Sequence, residues 1–293
     1  MTQLDALITF ASWEDRFYLG LEKTFRIYAT GNIVMYYYEE YADRTKENRA
    51  KISQLCAKKR ITLKSTKIAA KSPADSWRIY GNEFLATQWT SKNVLVDIST
   101  MPRDSIWSLF FFLKKAGANI SYIYYRPATY GDWLSRDPEK PRLLFKHSGV
   151  ARLGYPTGLV IVTGFDPDRT LQLINFFEPK LALVGIQTGS QFESNKKNVN
   201  AHRLALRGHH NIHIFKLDAY TVDHGQAIIE QEVSKYMADY NIIMSSLGPK
   251  PSAVALYKVC RKYPDVALAY APSREFNLDY SHGIGRKIGG KLE

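Results

Sequence analysis

Two short stretches carry residue types suited to holding an anion. One is Ser99-Thr100-Met101-Pro102-Arg103 and the other is Ser246-Leu247-Gly248-Pro249-Lys250. Ser, Pro and a cation recur at the same spacing, each time after an apolar run and before a helical pattern. Hydroxyls and free amides at a helix N-terminus, with a cation nearby, suit a phosphate or a carboxylate. Ser99, Thr100, Arg103, Ser246, Gly248 and Lys250 are therefore candidate ligand contacts. Their competing role is ordinary capping, with proline in the first turn. The spacing GxxxxGK[ST] of a phosphate-binding P-loop is absent. Arg16 and Arg169 form a second pair, each following an acidic residue at a helix start. They could reach an anion over the strand ends, or pin their own loops.

The elements that must position these residues are legible around them. Residues 94–98 read as a buried strand. Ile106, Leu109, Phe110 and Leu113 then share a helical face, Gly117 ends that helix, and 120–125 begins another strand. The Ser99–Arg103 loop thus falls at the carboxyl end of a strand, where open α/β sheets bind ligands. Residues 241–272 repeat the unit. Residues 8–16 also align with 161–169, so that Asp-Arg recurs at the entry to a helix. Thr30-Gly31 and Thr188-Gly189 each read as following a second strand. Four cues in one order point to internal duplication. The fold expected is α/β, with two similar Rossmann-like halves of mainly parallel sheet, 1–150 and 151–293. Their join lies in a proline-bearing connection, 126–157, with room for a β-ribbon.

In the first half the pattern predicts strands at 4–10, 25–29 and 61–67, and helices at 17–23, 39–59 and 75–90, with 34–38 ambiguous. In the second it predicts strands at 158–163, 181–186 and 212–217, and helices at 170–177, 195–206 and 225–239. The tail from 273 is Gly-rich and basic.

Composition narrows the function classes. The 293 residues are 45% apolar, enough for one large domain or two modest ones. Net charge is +12, from 40 Lys and Arg against 28 Asp and Glu, which favours nucleotide, phosphate or nucleic-acid partners. No apolar run approaches twenty residues and the N-terminus lacks signal-peptide features, so neither a membrane span nor secretion is expected. Cys56 and Cys260 lack metal or redox spacing and fit structural thiols in a reducing cytoplasm. His209, His210 and His213 cluster, but adjacent strand residues face opposite ways and no acidic or Cys partner has ligand spacing, so no metal or other cofactor is expected. His282, near a strand end, is a weaker candidate. There is no GxSxG, and no nuclease-like carboxylate set stands out. Asp97 aligns with Met244, which marks either a catalytic half or a strand-edge polar residue.

The stretches Asp97–Arg103, Ser246–Lys250 and 160–169 resemble the CARF-like and SAVED-like Rossmannoid sensor domains of prokaryotic defence systems. They occupy the place where those domains carry a strand ending in a Thr-Gly-Gly-Thr-Lys-like loop. The double glycine is missing from both copies. The resemblance implies parallel sheets, pseudo-two-fold pairing and a nucleotide messenger held between the halves. It also implies an effector on another chain, or cleavage of the ligand by this one. Two other classes stay open: an enzyme acting on nucleotides or nucleic acid with Arg103, Lys250 and Asp97 near the chemistry, and a nucleic-acid binder driven by charge.

Overall fold

β-Branched and aromatic runs form the strands, and four-residue apolar spacing forms the helices between them. In the computed structural model, which describes residues 1–86, 88–189 and 195–292, a short β1 (Thr2–Leu4) leads into β2 (Ala6–Phe10). α1 (Asp15–Ile27) buries Phe17, Leu21 and Phe25 along one stripe. There follow β3 (Tyr28–Thr30), β4 (Asn32–Tyr38), a 3₁₀ turn at Glu39–Tyr41, α2 (Ala42–Lys59), β5 (Thr62–Ile68) and α3 (Pro73–Leu85). β6 (Asn93–Asp97), α4 (Arg103–Lys115), β7 (Asn119–Tyr125) and β8 (Thr129–Tyr130) complete this run. The parallel strands stand side by side as β7-β6-β2-β4-β5. The chain therefore starts in the middle, steps outward to one edge and returns to the other side of β2. This is the doubly wound order, and its reversal point lies between β2 and β6.

The next run is β9 (Ser135–Pro138), β10 (Arg142–Leu143), β11 (Thr157–Val162), α5 (Pro167–Phe177), β12 (Leu181–Gln187) and α6 (Asn195–Ala205). Then come β13 (Ile212–Leu217), α7 (Gln226–Tyr236), β14 (Asn241–Ser246), α8 (Lys250–Lys262), β15 (Ala267–Tyr270) and β16 (Ser273–Phe276). Here the sheet reads β10-β15-β14-β11-β12-β13, with β10 antiparallel to β15 and the others parallel. Its reversal point lies between β11 and β14. The chain ends with β17 (Ser281–His282), antiparallel to β8, and β18 (Lys287–Leu292), antiparallel to β7. Each six-stranded sheet therefore has five parallel strands in one order, and one antiparallel strand beside the fifth.

The chain divides into one unit of Met1–Leu134 with Phe276–Glu293 and another of Ser135–Glu275. In the first, Leu7, Ile33, Leu95 and Ile123 of the sheet pack with Phe17, Leu21, Ile52 and Cys56 of α1 and α2. Strand alternation turns Tyr36 to the other face, where its ring meets Tyr80 of α3 at 4.9 Å. In the second, Leu159, Ile161 and Val184 pack with Leu173 and Ile174 of α5 and with Leu206. Both halves are mixed α/β with mainly parallel sheets, as the periodicity predicts.

Several local expectations are corrected. Residues 25–29 are not the second strand of the sheet. Phe25 continues the apolar stripe of α1, and β4 takes that place. Thr30-Gly31 therefore precedes the second parallel strand, whereas Thr188-Gly189 follows β12, so this cue does not mark equivalent turns. The helix of 75–90 ends at Leu85. The tail, given no fold from its composition, supplies β16, β17 and β18. The sequence pattern drew the join near 150, within the connection. The compact units part at Leu134 and Ser135, and the chain from Phe276 belongs with the first unit, where β18 covers the edge of β7 that would otherwise present unpaired amides.

Candidate functional site

In the first unit the loops after β2 and β6 meet at the reversal point. Thr100 Oγ1 donates to the Phe10 carbonyl at 2.7 Å, which binds one loop to the end of the other strand. The Ser99 hydroxyl donates to Asp97 Oδ1 at 2.5 Å and accepts from the Tyr125 amide at 2.8 Å. The Ser99 amide also donates to Asp97, at 2.9 Å. Asp97 is buried at the end of β6, and that burial raises its carboxyl above the usual range, against the Ser99 hydrogen bonds and the positive charge of Arg16. Asp97 thus holds a loop in shape.

Arg16 lies in the first turn of α1 and is only 2% exposed. Its Nε donates to Glu14 Oε2 at 2.8 Å and its Nη1 to the Tyr125 carbonyl at 3.3 Å. Glu14 also accepts from the Ser281 hydroxyl and, at 3.3 Å, from Ser12 Oγ. Asn48 of α2 closes the loop through the carbonyls of Ser12 and Glu14 at 3.0 and 3.2 Å. The acidic partner of Arg16 is therefore Glu14, while Asp15 Oδ2 accepts from the Gly283 amide at 2.9 Å.

Arg103 is the first residue of α4, after Pro102 with φ −60° and ψ 148°. It is partly exposed, and its charge opposes the burial that raises the hydroxyl of Tyr280. Lys250 is the first residue of α8, after Pro249 with φ −56° and ψ 151°. The two loops thus enter their helices in the same way, with a cation at the first helical position. A proline is suited to that entry because its fixed φ needs no adjustment and it has no amide to satisfy.

The second unit departs from the first in detail. The Ser246 hydroxyl donates to Ser252 Oγ at 2.7 Å, and Ser252 donates in turn to the Pro249 carbonyl at 2.7 Å. A Cβ on Gly248 would stand 2.7 Å from the Thr163 carbonyl and 3.1 Å from Gln187 Nε2, so only glycine lets the loop approach β11 and β12 this closely. Arg169 lies in the first turn of α5 and donates to the Ala271 carbonyl and, at 3.2 Å, to Ser135 Oγ. Arg16 and Arg169 therefore share one job: each ties the first helix of its unit to the chain at the end of the fifth strand.

The structure brings Arg16, Ser99, Thr100 and Arg103 to the carboxyl edge of one sheet, and Arg169, Ser246, Gly248 and Lys250 to that of the other. Arg16, Ser99, Thr100, Arg169 and Ser246 are engaged in internal hydrogen bonds. Of the four cations in the set, Arg16 is buried, while Arg103, Arg169 and Lys250 are partly exposed. Sequence reasoning passed over Trp13, Tyr38, Tyr41, Arg44 and Phe276, which gather at the ends of β2 and β4. The available signal was a Trp in the first loop and a Tyr run, 36–38 with Tyr41, ending the second strand.

The histidines lie elsewhere. His209 and His210 line a cleft of about 460 Å³ with Asn175, Glu178 and Lys180, beside the amino-terminal ends of β12 and β13. His213 lies 3.2 Å from Glu232. Among the described residues no three His, Cys, Asp or Glu side chains are placed to hold a metal ion. Among the same residues, no helix is long and apolar enough to cross a membrane.

No protein-family model matches the chain, and no curated protein matches it. Among solved structures, the chain is similar to a type III CRISPR defence DNA nuclease activated by cyclic oligoadenylate. The TM-score is 0.59 at 8% identity, over 87% of this chain and 64% of that one. The likeness is one of fold, and the chain spans less than two thirds of the nuclease. The cytoplasmic domain of a prokaryotic cation chloride cotransporter aligns over 94% of this chain and 98% of its own, at 11% identity. Its TM-score of 0.31 carries no argument.

Proposed function

We propose that the chain is a CARF-like nucleotide-binding sensor or accessory protein of prokaryotic anti-phage defence, with anion-binding loops at the carboxyl edges of its two sheets. The observation that carries this reading is the repeated loop. In each unit the chain leaves the fourth parallel strand beside the first, passes a proline and enters a helix on a cation, Arg103 or Lys250. That edge is where doubly wound sheets take phosphate-bearing ligands, and a cation at a helix start adds a fixed charge to the amide dipoles. The shared fold with a nuclease activated by cyclic oligoadenylate supports a nucleotide messenger as the ligand class. In this reading Arg103 and Lys250 meet phosphates. Ser99, Thr100, Ser246 and Gly248 shape the loops that present them, and Arg16 and Arg169 hold the first helices in register.

A thermal-shift screen against linear and cyclic nucleotides, oligonucleotides and inorganic phosphate tests this. A ligand at one hundred times its dissociation constant adds about 2.7 kcal/mol to stability. A shift by a defined small nucleotide supports the sensor. The net charge of +12 favours one competing reading, direct nucleic-acid binding. In that case only long oligonucleotides act, and their effect falls steeply with salt.

A further inference from the structure

Four rings gather at the carboxyl ends of β2 and β4 in the first unit. Trp13, in the loop after β2, meets Tyr41 edge-on with centroids 5.6 Å apart. Phe276 lies 5.8 Å from Tyr41 and 6.2 Å from Trp13, and Tyr38 lies 6.3 Å from Tyr41. All four rings are partly exposed. Over them lies the exposed guanidinium of Arg44, 5.6 Å from the Tyr41 centroid and 5.9 Å from that of Trp13. Among the described residues no acidic side chain is ion-paired with it. The Tyr38 hydroxyl reaches Asp104 Oδ1 at 3.5 Å, so the rings adjoin the first turn of α4, where Arg103 stands.

We propose that Trp13, Tyr41 and Arg44 form a nucleobase subsite, with the base against the rings and its phosphate on Arg44. This rests on the nucleotide reading, and it gives the base a place that the phosphate-directed loops lack. Partly exposed rings offer π-faces to any base, and an arginine among them adds both stacking and a phosphate contact. At one position the described part of the second unit differs. Asp166 aligns with Trp13, and its carboxylate is occupied in capping α5, accepting from the Asp168 amide at 2.9 Å.

The test is calorimetry with 5′-phosphorylated diadenylate and with the same sugar-phosphate backbone lacking both bases. The wild type binds the base-bearing ligand about tenfold or more tightly, since stacking contributes that much per base. Tyr41→Leu removes most of that advantage and leaves the base-free ligand unchanged. Arg44→Ala, at an exposed position, weakens diadenylate without altering the melting temperature of the free protein. Diadenylate quenches tryptophan emission, and Trp13→Phe abolishes the quench while keeping a ring. Equal binding of the two ligands overturns the proposal. So does diadenylate binding that is indifferent to Tyr41→Leu, with the quench surviving in Trp13→Phe. Either result leaves the nucleotide reading standing. If neither ligand binds and no other nucleotide shifts the melt, the nucleotide reading itself fails and the subsite falls with it.

Discussion

The Thr100 hydroxyl donates to the Phe10 carbonyl at 2.7 Å, across the point where the strand order of the first sheet reverses. One side chain thus sets the distance between the loop after β6 and the end of β2. Thr100→Val keeps the shape and removes the donor. It lowers stability by about 1–3 kcal/mol, the cost of leaving a carbonyl unsatisfied, seen as a lower urea midpoint at unchanged slope.

Arg16 and Glu14 form a pair whose side chains are 3% and 7% exposed. Removing one partner strands a charge in the interior. Arg16→Met costs about 3–5 kcal/mol in urea unfolding, and the double variant Arg16→Met with Glu14→Gln recovers much of the loss. If the double variant is no better than the single one, Arg16 acts through packing instead.

Gly248 and Gly31 make a matched contrast. A Cβ at 248 meets the Thr163 carbonyl at 2.7 Å, whereas one at 31 meets nothing within 4 Å. Gly248→Ala loses about 1–3 kcal/mol because backbone must shift, and Gly31→Ala changes the melt little.

The pH dependence of Asp97 has a definite sign. Burial raises its folded pKa above the unfolded value, so the folded state holds the proton more tightly. Its contribution to stability therefore grows as pH falls through the folded pKa towards the unfolded value of about 3.9. Asp97→Asn still accepts from Ser99 but does not titrate. Unfolding measured at stepped pH shows the wild type gaining on the variant as pH falls across that window. A difference that stays flat contradicts the assignment.

Strand-helix alternation and the two Ser-x-x-Pro-cation loops were readable because each depends on local periodicity and turn chemistry. Pro102 and Pro249 enter their helices alike, as their spacing indicates. What escaped was non-local. The strand Lys287–Leu292 carries two glycines and little apolar pattern, and it is ordered by the open edge of β7. Phe25 looked like the start of a strand because aromatic residues favour strands, yet its spacing from Leu21 and Phe17 places it on a helix. The ring cluster joins Trp13, Tyr41 and Phe276, which no sequence window contains together. The internal bonding of Arg16 and Arg169 was also hidden, since a cation at a helix start reads the same whether it meets a ligand or a carbonyl.

The most direct measurement is calorimetric titration of the wild type and the double variant Arg103→Ala with Lys250→Ala, using the nucleotide that gives the largest thermal shift. We predict saturable binding of the wild type and a loss of affinity of about tenfold or more in the double variant, as the charge-assisted phosphate contact at each loop disappears. A double variant that folds normally and binds that nucleotide as tightly as the wild type would contradict the central claim that these loops bind the anion.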